Sequence, residues 1–240
     1  MRPDVTIGER HSSVADQDAM VMMSHAGESK TGAGDPAAAG DLPHAGESWA
    51  FAQSLVHSRR NVTPRRLVEP GPDAVQLQGL LALAAAAPDH GQLTPWRFVI
   101  VPQAQRHRLA EVFAQALSDR DPAATQQQLA SAREKAHRAP LLMVAVACLG
   151  RREPDTPSLE RMVSMGAAIQ NLLLGAHAMG FGAGLTSGKA MASNRLRALL
   201  GLRDDEAAVC CVNIGTVTRN KPRDGLRPEP GAFVSTLGAP

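Results

Sequence analysis

The longest apolar stretch of the chain covers residues 162–188, and its pattern predicts one long helix followed by a glycine-rich loop. Large apolar residues occupy most of the helical circumference. A helix that is apolar all round is buried, either in a core or against a partner. Two interpretations therefore stay open: a central core helix, or a helix with a cofactor at its glycine loop and a subunit interface along its side.

Other apolar runs predict three strands and five further helices. The predicted strands are residues 98–101, 141–148 and 207–214. The predicted helices are a short amphipathic segment after Trp49, residues 74–87 with Asp73 as N-cap, 106–117, 124–137 and 194–200. Because residues 141–148 are apolar without interruption, we expect that strand to be buried on both faces. Few strands between longer helices predict an α/β or α+β sandwich whose helices cover the sheet.

The first 48 residues have the composition of a disordered tail. They are rich in Gly, Ala, Ser, Asp and Pro, and they hold few large apolar residues to offset the entropy of ordering. The pentapeptide HAGES occurs twice, but its histidines, His25 and His44, lack a third metal ligand nearby. We expect residues 1–48 to be disordered and residues 49–240 to form the folded domain.

The charge is small overall but unevenly distributed. The net charge is +2, yet residues 1–50 hold three basic and eight acidic residues, which leaves 22 basic and 15 acidic residues, a net +7, in residues 51–240. A basic body favours anionic small ligands or nucleic acid. Because no basic run is interleaved with aromatic residues, a nucleic-acid partner is the weaker hypothesis.

The cysteines and the apolar runs give no sign of a metal site or of a membrane span. Cys148, Cys210 and Cys211 lie in strand-like runs without a CxxC motif, so we expect buried small hydrophobic residues in a reducing compartment. No apolar run reaches the length that spans a bilayer, and the N-terminus lacks a signal-peptide pattern. The sequence predicts a cytoplasmic protein without a metal site and without a membrane partner.

Four glycines after the long helix invite comparison with a dinucleotide-binding fingerprint. Gly180, Gly182, Gly184 and Gly188 follow a helix, however, whereas that fingerprint follows a strand and opens a helix. Two interpretations remain: a close backbone approach to a flat or anionic ligand, or a Schellman-type helix stop at Gly180 followed by a flexible turn.

The pair Arg59-Arg60 lies at the end of the first helix and also has two interpretations. Arginines at a helix C-terminus complement the helix dipole. Guanidinium groups also bind phosphate in a bidentate manner, so the pair is a candidate anion site.

Four segments in order along the chain together resemble one known family. They are Arg59-Arg60-Asn61; Ala87-Pro88-Asp89-His90 with Pro95-Trp96-Arg97-Phe98; the run AIQNLLLGA at 168–176 with Gly180-Phe181-Gly182; and Asn213-Ile214-Gly215-Thr216. The chain resembles the FMN-dependent nitroreductase family, in particular its small bacterial NAD(P)H nitroreductase branch, over about residues 53–237.

This resemblance implies an α+β fold, a nitroreductase-like sandwich of helices around a small mixed β-sheet. It also implies an intertwined homodimer with two FMN sites at the subunit interface. The implied activity is transfer of hydride from NAD(P)H, through the flavin N5, to a nitroaromatic or quinone-like acceptor. The cofactor carries this chemistry, so no catalytic side chain is expected.

The resemblance also assigns residues. The implied FMN contacts are Arg59, Arg60, Asn61, Ala86, His90, Leu185, Thr186 and Ser187. The segment implied to bind NAD(P)H is Gly175, Ala176, His177, Ala178, Met179 and Gly180. The C-terminal tail is basic, with Arg219, Lys221, Arg223 and Arg227, and one of the first three is also expected at the FMN phosphate. His90 is a candidate donor at the pyrimidine end of the flavin.

The sequence departs from the family pattern at several of these positions. Asn61 replaces a usual serine, and Thr94 replaces a frequent amide side chain. Ala86 stands where some relatives have a basic residue, and Leu185 stands where a tryptophan is familiar, which we expect to alter substrate stacking. Two alternatives therefore remain: an FMN-binding or storage dimer without fast turnover, and another flavin reaction of the superfamily, such as dehalogenation or enoate reduction.

Overall fold

The computed structural model describes residues 45–150, 155–218 and 227–238, all within one compact unit, Gly40–Pro240. Residues 1–44, with His25 and His44, lie outside the described residues, as do Arg219, Lys221 and Arg223. The first helix begins at Ala45, slightly before the predicted start near Trp49. Disorder of the preceding tail stays a prediction.

Six α-helices form in the described residues, close to the predicted positions. They are α1 (Ala45–Ser58), α2 (Ala74–Ala85), α3 (Arg106–Arg120), α4 (Gln126–Glu134), α5 (Ser158–Ala178) and α6 (Asn194–Leu200). The predicted cap of α2 is present: Asp73 Oδ1 accepts from Gln76 N at 2.8 Å, and Gln76 Oε1 accepts from Asp73 N at 3.0 Å. This reciprocal pair satisfies two backbone donors at the start of the helix.

The described sheet has five strands, two more than the sequence predicts. They are β1 (Leu67–Val68), β2 (Trp96–Ile100), β3 (Leu141–Cys148), β4 (Gly182–Thr186) and β5 (Glu206–Val217). Strand β5 pairs with β1, β3 and β4, and β3 pairs with β2, always antiparallel. The expectation of a mixed sheet is therefore wrong for these strands, whereas the predicted α+β fold is confirmed. Among the described residues, parallel pairing is limited to an isolated bridge between Asn61 and Ala183.

Two apolar clusters cover the two faces of the sheet. Helices α2 and α5 pack on one face, and α3, α4 and α6 pack on the other. Alternate residues of β3 enter the two clusters, with Met143 and Ala145 on the first face and Val144 and Val146 on the second. All residues of β3 are buried, as the uninterrupted apolar run predicts.

Helix α5 is buried along one side only. Met165, Ala168 and Leu172 are fully buried, but Leu159 is 79% exposed and Val163 is 58% exposed on another side. Helix α2 packs against α5 at close range. Gly175 permits this because it has no Cβ, and a Cβ at that position would overlap the side chain of Leu83. The apolar character of α5 is therefore only partly explained by the core of a single chain.

Within the described part of the chain, none of the helices has the length and the apolar character needed to cross a membrane.

Candidate functional site

The predicted glycine loop after α5 is in fact a helix stop followed by a strand. Gly180 has a φ of 85°, and Phe181 N donates to Ala176 O at 2.8 Å, which is the bonding of a Schellman motif. The predicted helix stop is therefore confirmed. The predicted flexible turn is wrong, because Gly182–Thr186 forms β4, paired with β5.

The end of the segment that contains Arg59, Arg60 and Asn61 runs beside strand β4 and is hydrogen-bonded to it. Val62 N donates to Ala183 O at 2.9 Å, and a Cβ on Gly184 would overlap the carbonyl oxygen of Val62. The close approach that glycine allows here is thus made by the chain itself rather than by a ligand. As a result, Asn61 lies beside Ala183 and Gly184, directly before residues 185–187, although the two segments are distant in sequence.

Three arginines cluster at the C-terminal end of α1. Arg227 Nη2 donates to Arg59 O and to Val56 O, each at 3.4 Å, and Arg60 Nη1 donates to His57 O at 2.7 Å. Burial, followed by the charges of Arg227 and Arg60, lowers the pKa of Arg59. In the described residues, these three guanidinium groups form no ion pair with a carboxylate.

This arginine cluster combines both sequence interpretations of the Arg59-Arg60 pair. Arg60 satisfies carbonyls at the helix end, as dipole complementation predicts. The cluster as a whole has the uncompensated charge of an anion site. Sequence reasoning counted Arg227 among the basic tail residues but did not single it out, because nothing in the sequence places the tail against α1.

An open cleft of about 640 Å³ adjoins the end of β4 and is bounded by α3 and α4. Thr186 and Ser187 line it, and so does Pro64, which follows the arginine segment. Thr186 Oγ1 accepts from Asn213 Nδ2 at 3.1 Å, and Ser187 Oγ donates to Val209 O at 2.9 Å, so both side chains have fixed orientations. Leu185 does not line the cleft, because alternation along β4 places its side chain on the face opposite Thr186.

The rim of the cleft is basic. Its charged lining residues are Arg120, Lys135, Arg138 and Lys189, and no acidic side chain lines it among the described residues. Arg138 is paired with Glu134 at 3.0 Å, whereas Lys135 forms no ion pair within the described contacts. Sequence reasoning missed Lys135 because it lies in a segment, 124–137, whose pattern is that of a polar, exposed helix.

A buried arginine fixes the turn that carries Lys135. Arg106 is 1% exposed, and it donates to the carbonyls of Val101, Ala136, Ala139 and Pro140 at 2.6–3.1 Å. Ala136 belongs to the 3₁₀ turn Lys135–His137. Helix α3 thereby holds one wall of the cleft against the start of β3.

The predicted flavin contact His90 lies at the other end of α5. His90 Nδ1 is 2.8 Å from Glu160 Oε2 in the first turn of α5, and Ala86 caps the C-terminal end of α2. In contrast, Ser58, next to Arg59, bonds His177 in the last turn of α5 at 2.7 Å. Between Glu160 and His177 the helix rises about 25 Å, at about 1.5 Å per residue. A single chain therefore does not bring His90 to the arginine cluster.

The segment expected to bind NAD(P)H forms the last turn of α5 and the helix stop that follows it. Gly175 and Ala176 are buried in the packing of α5 against α2 and the sheet, and His177 bonds Ser58. Ala178, Met179 and Gly180 are exposed. Only this second half of the segment presents surface to a ligand in a single chain.

The cysteines are buried, as predicted, and one of them borders the cleft. Cys211 lines its floor, and burial together with the neighbouring Cys210 raises the pKa of Cys211 to about 12. Burial alone raises the pKa of Cys210 to about 11. Thiolate chemistry is therefore disfavoured at both. The described residues contain no group of three or more His, Cys, Asp or Glu side chains that could hold a metal ion.

Fold and site together define an α+β sandwich protein with an arginine cluster at the end of α1 and an open, basic cleft at the end of β4. A sequence model of the nitroreductase family matches residues 57–216, and the chain belongs to this family. A Haemophilus influenzae protein with the provisional name NAD(P)H nitroreductase is 32% identical over 186 residues, covering 78% of this chain and 99% of that protein.

Solved structures share the fold. A nitroreductase-like protein from Bacillus cereus superposes with a TM-score of 0.66 at 19% identity, covering 78% of this chain and 95% of the other. A Clostridium difficile protein described as an FMN-dependent nitroreductase superposes with a TM-score of 0.54 at 17% identity, covering 76% of this chain and 97% of the other.

Proposed function

We propose that this chain is an FMN-dependent NAD(P)H oxidoreductase that reduces nitroaromatic or quinone-like acceptors. The observation that carries the proposal is the cluster of Arg59, Arg60 and Arg227 at the C-terminal end of α1, where the chain continues into the contact with β4. The FMN phosphate is a dianion, and a cluster of guanidinium groups without a described carboxylate fits it. The similar proteins described as an FMN-dependent nitroreductase and as an NAD(P)H nitroreductase support the same assignment.

The cleft fits the flat ring system of FMN. Thr186 and Ser187 offer polar atoms at one wall, while Phe113, Leu117 and Met191 offer apolar surface. When bound, FMN supplies the hydride chemistry between NAD(P)H and the acceptor. Lys135 contributes a positive charge that would stabilise negative charge on the ring system, a role that the sequence suggested for His90.

A homodimer completes the proposed site. His90 and Glu160 lie at one end of α5 and the arginine cluster at the other, so an antiparallel pairing of two α5 helices brings His90 of one chain towards Arg59 of the next. Such a pairing has twofold symmetry, as most homodimers do. The exposed apolar side chains of Leu159 and Val163 support it, because burial against a partner would remove them from water.

The test is flavin binding and turnover in the purified full-length chain. We expect a yellow protein with flavin absorbance that oxidises NAD(P)H when a nitroaromatic acceptor is added. Arg59→Met combined with Arg227→Met should weaken FMN binding by at least about tenfold, because each charge-assisted hydrogen bond contributes on the order of 1.5 kcal/mol or more.

The matched control is Arg108→Met, which removes an exposed arginine of α3 whose hydrogen bond within the described residues goes to Gln105. This variant should bind FMN like the parent protein. A colourless protein that FMN does not reconstitute would overturn the proposal.

Turnover separates the enzyme from the alternative of an FMN storage dimer. A storage protein would hold FMN yet oxidise NAD(P)H no faster than free flavin does. Leu185, one of the departures from the family pattern that left this alternative open, does not line the cleft, so its replacement of a tryptophan gives the alternative less support.

A further inference from the structure

The N-terminus of α5 contains a buried arginine whose hydrogen-bonding groups are mostly unpaired. Arg161 is 1% exposed, and its Nε donates to Thr156 O at 2.9 Å. Its Nη1 and Nη2 have no partner among the described residues, and neither does the hydroxyl of Thr156, a residue that is 6% exposed.

The other fully buried arginine, Arg106, shows how this fold pairs the donors of a buried guanidinium group. Arg106 is equally buried, but each of its three nitrogens donates to a backbone carbonyl. A buried guanidinium group is costly unless its donors are paired or its charge is balanced. Arg161 makes one such bond through Nε, so both terminal nitrogens, Nη1 and Nη2, remain available as hydrogen-bond donors.

The electrostatic setting around Arg161 favours a negative group. Helix α5 is long, its N-cap residue Pro157 provides no side-chain cap, and a helix N-terminus carries partial positive charge. A cation buried there adds like charge. The nearest acidic residue along the helix, Glu160, bonds His90, and neither Glu160 nor Asp89 forms an ion pair with Arg161 in the described contacts.

We propose that Arg161, Thr156 and the first turn of α5 form a binding site for one oxyanion group, a carboxylate or a phosphate. The fork of Nη1 and Nη2 matches two oxygens of such a group, the Thr156 hydroxyl can donate to it, and free amides at a helix N-terminus bind anions. Within one chain, this site is separate from the arginine cluster, which lies at the opposite end of α5. It goes beyond the proposed oxidoreductase activity and does not depend on it.

Thermal unfolding of the full-length chain saturated with FMN tests the site. Sodium phosphate, sulfate, acetate and benzoate are compared with chloride at matched ionic strength. At about 100-fold excess over Kd, a specifically bound anion should raise Tm by about 5–10 °C. Arg161→Met should abolish this rise, and Thr156→Val should reduce it.

Two further variants make the result specific. Arg133→Met removes an exposed arginine paired with Glu111 and should keep the full response. Arg161→Lys keeps the charge but not the fork, so it should weaken binding by about tenfold or more; it also serves if Arg161→Met does not fold. Because wild type and Arg161 variants share the arginine cluster, their difference isolates the new site even if FMN does not bind.

The probes also identify the source of the oxyanion. A response to phosphate and sulfate assigns an inorganic anion or a phosphorylated ligand, whereas a response only to acetate and benzoate assigns a carboxylate ligand. Equal Tm values in all four salts and in chloride would overturn the proposal, as would a rise that Arg161→Met and Arg161→Lys retain.

Discussion

Gly184 determines whether two sequence-distant parts of the candidate site can meet. It lies in β4, directly beside the backbone of Asn61 and Val62, and a side chain there would overlap the Val62 carbonyl. Gly188, only a short distance along the chain, has an extended backbone, and a Cβ at its position would have no neighbouring atom within 4 Å. The two glycines look equivalent in the sequence, but only Gly184 is required for packing.

Replacing Gly184 should therefore damage both stability and flavin binding. Gly184→Ala forces residues 61–62 away from β4, and we expect a loss of about 1–3 kcal/mol in the free energy of unfolding. FMN affinity should fall as well, because Arg59 and Arg60 move with that backbone. Urea denaturation and FMN titration measure the two effects.

Gly188→Ala is the matched control for stability and should leave the urea midpoint nearly unchanged. An unfolding free energy of Gly184→Ala equal to that of the parent would show that residues 59–62 do not depend on this contact.

At the residue scale, the sequence located part of the candidate site. Residues 59–61 and 185–187 could be proposed from the family resemblance, and the structure brings Asn61 beside Ala183 and Gly184, directly before the second segment. Lys135 was not identified and Arg227 was not singled out, since each lies in a polar segment whose sequence resembles any exposed surface. Their position beside the cleft or the arginine cluster follows from Arg106 and from the course of the C-terminal segment.

At the scale of elements, a buried carboxylate connects β2 with β5 and the turn before it. Glu206 accepts from Arg97 Nε at 2.7 Å and Nη2 at 2.9 Å, and from Arg203 N at 2.9 Å. Hydrogen bonding from Arg97 outweighs burial and lowers the pKa of Glu206 from 4.5 to about 2. Arg97 belongs to the Pro-Trp-Arg-Phe motif of the family resemblance, and in the structure it anchors the sheet.

This network predicts a loss of stability in acid. Because the pKa of Glu206 is lower in the folded state, its contribution is complete above about pH 4.5 and disappears as the pH falls towards 2. We expect a loss on the order of 2 kcal/mol across this window. Urea unfolding at pH 7 and near pH 2.5 measures it, and Glu206→Gln should lower stability at pH 7 and flatten this dependence.

Glu111→Gln provides the comparison, because Glu111 pairs with Arg133 at the surface and exposed pairs contribute little. Its pH dependence should match that of the parent. If Glu206→Gln also matched the parent, the network would not contribute to acid sensitivity.

At the scale of the whole molecule, much of the exposed apolar surface suggests a partner. Trp49 and Phe51 on α1, Leu159 and Val163 on α5, and Phe233 and Leu237 near the C-terminus are all more than half exposed. Such surface is costly in water unless another chain covers it. The proposed homodimer accounts for it and also for the division of predicted flavin contacts between the two ends of α5.

A charge in this surface should separate the subunits. Val163→Glu places a carboxylate on the exposed face of α5, where the proposed partner helix packs. We expect the mass measured by light scattering to halve and FMN to be lost together with it, because each site would need both chains. Ala130→Glu, on the exposed side of α4, should leave mass and flavin content unchanged.

A Val163→Glu protein that stays dimeric would show that α5 does not form the interface. A monomer that keeps FMN would show instead that one chain completes the site.

The sequence by itself determined the helices and three of the five described strands, because these follow from local periodicity and capping: the buried run of β3 and the Asp73 cap of α2 are examples. The α+β class, which periodicity did not separate from α/β, came from the family resemblance. The family membership followed from short motifs. Tertiary structure alone decided the antiparallel sheet, the strand character of Gly182–Thr186, and the meeting of Arg59, Arg60 and Arg227. A glycine-rich segment has no local preference for a strand, so the pairing of β4 with β5 and its contact with Val62 had to supply that structure.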